Sequence, residues 1–260
     1  MRYPEIDMIK GIAVILMVIF HFFYLAYFMN IKNYPIDSGI LNCMAKFAHT
    51  VFILIVGVNL ALSYQKAKVK KMSDNEFLGK SIKRSFFLFL AGTIVSIFSY
   101  LAFDSMFVKF GIFQFIATAI IISQFVLKNH ILQLFWALIV ILVFVFKDYF
   151  SNMLYDNCLK IPLICFVTGL YNVKYSSLDH FPLIPYLTFV FLGMFMGNLL
   201  YKKGNRNFDG EIIDKLQENS LLKMLSFLGK RSLQIYFIHF PILYFLLFYY
   251  KDLRKGKESI

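Results

Sequence analysis

One histidine stands near the middle of an otherwise apolar run, EIDMIKGIAVILMVIFHFFYLAYF, which covers residues 5–28. An imidazole with an unperturbed pKa of about 6.5 can accept and return a proton near neutral pH. Leu or Phe would cost less free energy in an apolar segment, so His21 predicts a functional site. A hydrogen bond to a neighbouring helix is the alternative role for this side chain.

Other polar side chains stand near the starts of later apolar runs. His49 lies near the start of the second run, Gln114 near the start of the fourth, and Asp179 with His180 just before the sixth. If successive runs cross a membrane in opposite directions, these positions come close to the depth of His21. Ionisable groups in a bilayer usually face a cavity or one another. We therefore predict one catalytic group made of His21, His49, Gln114, Asp179 and His180, with helix–helix hydrogen bonding as the alternative.

A second set of charged residues marks the opposite ends of the runs. Asp7 and Lys10 open the first run, Arg84 opens the third, and Lys230 with Arg231 opens the last. Asp7 and Lys10 are three residues apart, so they share a helix face and can form an ion pair. The set predicts an anion site for a phosphorylated cofactor, with Arg231 as a phosphate ligand at a helix start. Ordinary snorkelling of Lys and Arg to the membrane surface is the alternative.

Two further kinds of residue receive structural roles. His239 is followed by Pro241, which has no backbone N–H, so the carbonyl of Phe237 is left for a nearby donor. The three cysteines show no metal-ligand spacing and are expected to be buried structural thiols. We find no Gly-rich phosphate loop, zinc-protease motif or nucleophile elbow, and we predict no metal site.

The composition indicates the elements that carry these residues. The chain of 260 residues is 59% hydrophobic and only 16% charged, and its apolar runs do not alternate with polar residues. It therefore predicts an all-α polytopic transmembrane helical bundle with about seven or eight spans, forming one domain over residues 1–260. The predicted spans are 8–28, 46–64, 83–103, 108–127, 131–147, 183–201 and 231–250. The short segment 158–171 is either an eighth span or a re-entrant piece.

Charge gives the orientation. The net charge of +12 would suggest nucleic acid in a soluble protein, but here Lys and Arg crowd into the loops 65–82 and 202–230. Cytoplasmic loops carry such an excess, so we predict no nucleic-acid binding and a multi-pass protein of the cell membrane. Seven spans with a cytoplasmic N-terminus place both basic loops inside, although the basic C-terminal tail then lies outside.

Five segments in this order resemble one family: EIDMIKGIAVILMVIFHFFY, HTVFILIVGVNLALSY, KFGIFQFIATAIII, LDHFPLIPYLTFVFLGMFMGNLLY and LGKRSLQIYFIHFPIL. Together they resemble the small prokaryotic membrane proteins related to the catalytic domain of heparan-α-glucosaminide N-acetyltransferase, within the transmembrane acyltransferases. The resemblance covers essentially the whole chain. Where some relatives carry Asn, this chain has His21; Lys10 stands where Arg is common, and Gln114 where relatives often have His.

The resemblance implies transfer of an acetyl or other acyl group from cytoplasmic acetyl-CoA, a co-substrate, to a sugar amine or hydroxyl at the opposite membrane face. His21 would then be the general base or the transient acyl carrier, and Asp179 or His180 would orient it or bind the acceptor. The expected partners are membrane lipids, acyl-CoA and a glycan or other small acceptor, and a homodimer is left open. A small-solute or proton-coupled transporter that uses the same polar cavity, and a membrane partner without activity, are the alternatives.

Overall fold

The computed structural model describes residues 3–103, 106–170, 177–216 and 218–258. These residues form twelve helices and one two-stranded hairpin. The helices are α1 Pro4–Phe28, α2 Gly39–Val69, α3 Asp74–Phe103, α4 Ile112–Ser123, α5 His130–Val145, α6 Lys147–Met153, α7 Tyr155–Lys160, α8 Pro162–Thr168, α9 Leu183–Leu200, α10 Glu211–Leu216, α11 Ser220–Lys230 and α12 Ser232–Glu258. The hairpin strands are β1 Tyr201–Lys202 and β2 Asn205–Arg206.

The predicted all-α membrane bundle is confirmed. Five described helices are long and apolar enough to cross a membrane, namely α1, α2, α3, α9 and α12, and α5 with α6 adds a sixth if the bent pair is one span. The predicted span 108–127 is helical only over the 12 residues of α4. At a rise of 1.5 Å per residue, α4 is about 18 Å long, shorter than a bilayer core.

The segment 158–171 contains no span in its described part. Pro162 begins α8 and Gly169, at φ +85°, ends it after only 7 residues. Glycine adopts this left-handed conformation without a steric cost, which explains why the helix ends here. Residue 171 lies outside the described residues.

The cysteines differ from expectation. Cys158 of α7 and Cys165 of α8 form a disulfide, and Cys43 of α2 is an exposed free thiol. The prediction of three buried thiols was therefore wrong. Residue spacing did not indicate the bond, because the turn between α7 and α8 is what brings the two side chains together.

The basic segment 202–230 is more ordered than a simple loop. It contains the end of the hairpin, α10 and α11. The side chain of Asn219 accepts a hydrogen bond from the backbone N–H of Leu221 and so caps α11. In the other basic loop, Ser73 and Glu76 exchange side-chain bonds with each other's backbone N–H, a capping box that begins α3.

The fold divides into two compact units. Unit 1 comprises residues 1–52 and 209–260, and unit 2 comprises residues 53–208. In unit 1, α1 packs against α11 and α12. Two glycines permit the closest approach: Gly11 faces the backbone of Leu225, and Gly229 faces the carbonyl of Asp7 so closely that a Cβ there would overlap it.

Unit 2 contains two packed helix pairs, α5 with α9 and α3 with α4. A chain of amides connects three of its helices: Gln65 of α2 donates to Asn198 of α9 at 2.8 Å, and Asn198 donates to Gln133 of α5 at 3.1 Å. Gln133 is fully buried and also donates to the carbonyl of Val126. Because each amide bonds the next, the chain fixes these helices without leaving its donors unsatisfied.

Candidate functional site

His21 is buried in unit 1, with 8% of its surface exposed. It lies on the face of α1 that turns toward α12, where its ring centroid is 4.9 Å from that of His239. Nδ1 of His21 lies 2.9 Å from the carbonyl oxygen of Met17, one turn earlier in α1. A carbonyl oxygen can only accept, so Nδ1 carries the proton of the neutral ring and Nε2 is left as a lone-pair acceptor. That is the form a general base requires.

His239 has the same arrangement in α12. Its Nδ1 lies 2.8 Å from the carbonyl oxygen of Tyr236 and 3.1 Å from that of Ile235, while its buried Nε2 bonds to no residue that the structure describes. A buried acceptor without a partner calls for an explanation, and a role in proton handling is one. The sequence predicts a structural role for His239 beside the carbonyl of Phe237, and the contacts of its ring are with the carbonyls of Ile235 and Tyr236.

The third imidazole of this group belongs to His49. It lies in the part of α2 that belongs to unit 1, close enough to His21 to interact with it electrostatically. The structure therefore brings His21 and His49 together, as predicted, and adds His239. Sequence reasoning had separated His239 from the group because it compared depth along each helix and could not compare helix rotation. We call His21, His49 and His239 the histidine cluster.

The remaining predicted catalytic residues lie in unit 2, around the start of α4. Gln114 accepts from the backbone N–H of Gly111 at 3.0 Å and donates to the hydroxyl of Ser96 in α3 at 3.0 Å. Asp179 accepts from the backbone N–H of Ile112. A Cβ on Gly111 would lie 3.1 Å from the Asp179 carboxylate and 3.5 Å from the Gln114 carbonyl, so the two side chains are neighbours. Both bind the free N–H groups of a helix start, a structural task.

His180 occupies the same short segment. Its ring stacks on Phe166 with centroids 4.1 Å apart, and its Nε2 lies 3.1 Å from the carbonyl oxygen of Phe166. The segment that contains His180 runs beside the segment that precedes α4, and the backbone N–H of Phe181 donates to the carbonyl of Phe110. His180 therefore helps to hold α8 against this pair of segments.

The electrostatics of this segment favour neutral side chains. Burial raises the pKa of the Asp179 carboxyl from 3.8 to about 7, and the bond from the N–H of Ile112 opposes part of that rise. The residue keeps some exposed surface, but its carboxyl group is enclosed beside Gly111. Burial also lowers the pKa of His180, against the opposing effect of the Phe166 carbonyl. Asp179 can therefore exchange a proton near neutral pH.

Four of the five predicted cofactor residues lie in unit 1. Lys10 and Asp7 form the expected ion pair at 3.4 Å, and Gly229 lies against the backbone of Asp7. Lys230 is the last residue of α11, and Arg231 lies between α11 and α12. The Arg231 guanidinium is exposed and stacks on the Phe227 ring, 4.1 Å from its centroid. Two of these three cations therefore already have partners within the protein: Lys10 pairs with Asp7, and Arg231 stacks on Phe227.

Arg84, the fifth, lies in unit 2 and lines a cleft of about 280 Å³ between the ends of α2 and α3. Three lysines share it, Lys66, Lys70 and Lys80, and no carboxylate occurs among the described residues that line it. Ser63 and Ser81 add hydroxyl groups, and the remaining walls are apolar. We call this pocket the arginine cleft.

The like charges of the arginine cleft stand four residues apart in two pairs. Lys66 lies in the last turn of α2, and Lys70, one residue past the end of α2, donates its backbone N–H to the carbonyl of Lys66. Lys80 and Arg84 share one face of α3. Such pairs repel and destabilise a helix unless an anion neutralises them. Sequence reasoning had used these lysines only to orient the chain, although their spacing of four was visible.

The comparisons with known proteins identify one family. The family model described as heparan-alpha-glucosaminide N-acetyltransferase, catalytic, matches residues 2–241. Neither a curated protein nor a solved structure shows significant similarity to the chain. Because the match covers most of the 260 residues, and because the described helices are those of a multi-pass membrane protein, the chain belongs to the family of the heparan-α-glucosaminide N-acetyltransferase catalytic domain, a family of membrane acetyltransferases.

Proposed function

We propose that this protein transfers an acetyl group from acetyl-CoA on the cytoplasmic side to an amine or hydroxyl of a sugar at the opposite face of the cell membrane. The observation that carries the proposal is the buried pair of imidazoles, His21 and His239, each with Nδ1 on a backbone carbonyl and Nε2 in the acceptor form. Family membership supports acetyl transfer in general. The donor, the acceptor and the direction belong to the proposal.

His21 performs the proton transfer in this mechanism. Its Nε2 accepts the proton of the acceptor hydroxyl or amine while the acceptor oxygen or nitrogen attacks the thioester carbonyl. The C–S bond then breaks, and His21 returns the proton to the departing CoA thiolate. In the covalent variant, Nε2 attacks the thioester carbonyl, the C–S bond breaks and the CoA thiolate leaves. The acceptor oxygen or nitrogen then takes the acetyl group from Nε2, and its proton neutralises the thiolate. His49 and His239 set the charge around His21. Binding of the acceptor by Asp179 or His180 stays a prediction from the sequence.

The arginine cleft is the site we propose for the phosphate groups of CoA. Four cations and two hydroxyl groups line it, and a phosphate would relieve the repulsion between them. Asp7, Lys10, Lys230 and Arg231 of unit 1 form the second candidate set. Their cations are partly engaged by the Asp7 carboxylate and the Phe227 ring, which favours the arginine cleft.

Acetyl-CoA binding to the purified protein separates the two candidate sets. Arg84→Gln removes a charge-assisted contact worth about 1.5–3 kcal/mol, so affinity should fall at least tenfold. Arg231→Gln should change affinity far less, and the exposed Lys223→Gln serves as the control. Loss of binding in Arg231→Gln alone would move the donor site to unit 1. A protein that binds no acetyl-CoA at all would favour the transporter.

The direction of transfer depends on the sidedness of the basic loops. Cysteines at Asn75 and Glu218, in a Cys43→Ser background, should be protected from an impermeant thiol reagent applied outside intact cells. These exposed positions preserve the caps at Ser73 and Asn219, which direct replacement would remove. Cys43 of the native chain is exposed and predicted to lie outside, so its labelling is the positive control. Labelling at either new cysteine would contradict the orientation.

A further inference from the structure

A second basic pocket lies in unit 2, and the proposed reaction assigns it no role. It has a volume of about 550 Å³ and lies between the end of α2, the start of α5, the end of α9 and the β1–β2 hairpin. Four lysines line it, together with polar and aromatic side chains: Lys68, Lys128, Lys202, Lys203, Tyr64, Gln65, His130, Asn198 and Tyr201. We call it the hairpin cleft.

The hairpin cleft is separate from the arginine cleft because α2 presents a different face to each. Ser63, Lys66 and Lys70 line the arginine cleft, whereas Gln65 and Lys68 line the hairpin cleft. Residues 66 and 68 are about 200° apart around a helix of 3.6 residues per turn, so they point in opposite directions. Two anions could therefore bind at this end of unit 2 at the same time.

The charge of the hairpin cleft is only partly balanced. Asp74 pairs with Lys68 at 2.5 Å and with Lys128 at 2.8 Å, so one carboxylate serves two ammonium groups. Lys202 and Lys203 form no ion pair with any residue that the structure describes. No carboxylate occurs among the described lining residues. The cleft therefore retains an excess of positive charge.

The lysines of the hairpin are held in place by the backbone. Lys203 and Gly204 form the two-residue turn, both with positive φ, +51° and +79°. The backbone N–H of Gly204 donates to Gln65 at 3.1 Å, which connects the turn to the amide chain through Asn198 and Gln133. Glycine or asparagine adopts this conformation more readily than lysine. The chain thus places a lysine where it costs stability, as functional sites often do.

We propose that the hairpin cleft binds a phosphate group, with Lys202 and Lys203 as its ligands. Lysine ammonium groups bind phosphate as point charges, and basic pockets beside transmembrane helices bind lipid headgroups on the cytoplasmic side. Val69 and Leu127 give the cleft an apolar edge. Phe125 and Ile131, close in sequence to the lining residues Leu127 and His130, are exposed apolar side chains. The phosphate of an anionic phospholipid fits both features, and a soluble phosphate ester is the other source of the same group.

Binding of dihexanoyl phosphatidylglycerol to the full chain in neutral detergent tests the proposal, with dihexanoyl phosphatidylcholine as the neutral-headgroup control. Lys203→Asn keeps a residue suited to the turn and removes only the charge. We expect Lys203→Asn combined with Lys202→Gln to weaken phosphatidylglycerol binding at least tenfold, with an unchanged or higher Tm. Lys80→Gln, in the arginine cleft, should leave phosphatidylglycerol binding unchanged and should weaken acetyl-CoA binding.

Each other outcome has a definite meaning. Glycerol 3-phosphate that competes at the affinity of the lipid supports the phosphate site and identifies a soluble source. Equal binding of both lipids, or unchanged phosphatidylglycerol binding in the double variant, overturns the proposal. The proposal is also overturned if the double variant loses acetyl-CoA binding and keeps phosphatidylglycerol binding, because the hairpin cleft would then be part of the acetyl-CoA site. The phosphatidylglycerol results do not depend on the proposed acetyl transfer.

Discussion

Replacing His21 with Phe separates catalysis from packing at the centre of unit 1. Phe keeps a planar ring against His239 and Phe240, whose ring centroids lie 4.9 Å and 6.0 Å from that of His21. The substitution loses the Nδ1 contact with the Met17 carbonyl, which contributes about 0.5–1.5 kcal/mol. For a chain of this size, that loss corresponds to a Tm decrease of about 1–6 °C. The fold should therefore survive.

Catalysis should respond far more strongly than stability. Removal of a general base typically lowers a rate by about 10²–10⁴-fold, so acetyl transfer to a glucosamine acceptor should fall at least a hundredfold. Acetyl-CoA affinity, measured on the same preparation, should remain within about threefold, since the proposed donor cleft lies in unit 2. Met17→Leu is the matched control: it alters buried packing one turn away in α1, preserves the imidazole and costs less than about 1.5 kcal/mol. His21→Phe with near-native turnover would refute the assignment, and a collapsed Tm with normal turnover in the surviving protein would indicate a structural histidine.

Three further predictions concern the two units. Gly229→Ala should destabilise the protein by about 1–3 kcal/mol, because its Cβ would overlap the Asp7 carbonyl. Gly79 has open space around it, so Gly79→Ala should stabilise α3 by about 0.5–1 kcal/mol. Chemical unfolding in detergent measures both changes. The pKa of Asp179 is raised to about 7 in the folded protein, so its contribution to stability is complete below about pH 4 and is lost as the pH rises through 7. The Tm of the native protein should therefore fall over this pH range. Asp179→Asn should remove this fall in Tm, and Asp148→Asn, at an exposed position, should preserve it. Cys158→Ser should lower stability by about 2 kcal/mol, the loop entropy of so short a ring, and alkylation of the native chain without reductant should modify a single cysteine per molecule.

The residues of the histidine cluster show how far a single sequence can be taken. An imidazole in an apolar run is visible without a structure, and the alternation of spans predicted that His21 and His49 share a depth. Depth fixes position along a helix but not rotation about it. His239 faces His21 because of the rotation of α12, which depends on packing against α1.

The predicted site residues of unit 2 depend on contacts that residue types do not show. Gln114, Asp179 and His180 were grouped correctly near one helix start, yet their visible contacts cap α4 and hold α8. A sequence does not show whether a polar side chain is occupied by a backbone group. The arginine cleft was missed for a related reason, since Lys66, Lys70 and Lys80 were counted as charges and not placed on helix faces.

The sequence by itself determined the all-α membrane class, most of the helix positions and the family, because each depends on local composition and on the order of segments along the chain. Only the tertiary structure decided the disulfide between Cys158 and Cys165, the shortness of α4 and the partner of His21. It also decided the split of the basic residues near the ends of α2 and α3 into two clefts. These features arise from turns and helix rotations that are set by contacts between residues far apart in the chain. Such a contact depends on the side chains of two helices together, whereas a hydropathy pattern describes each helix separately.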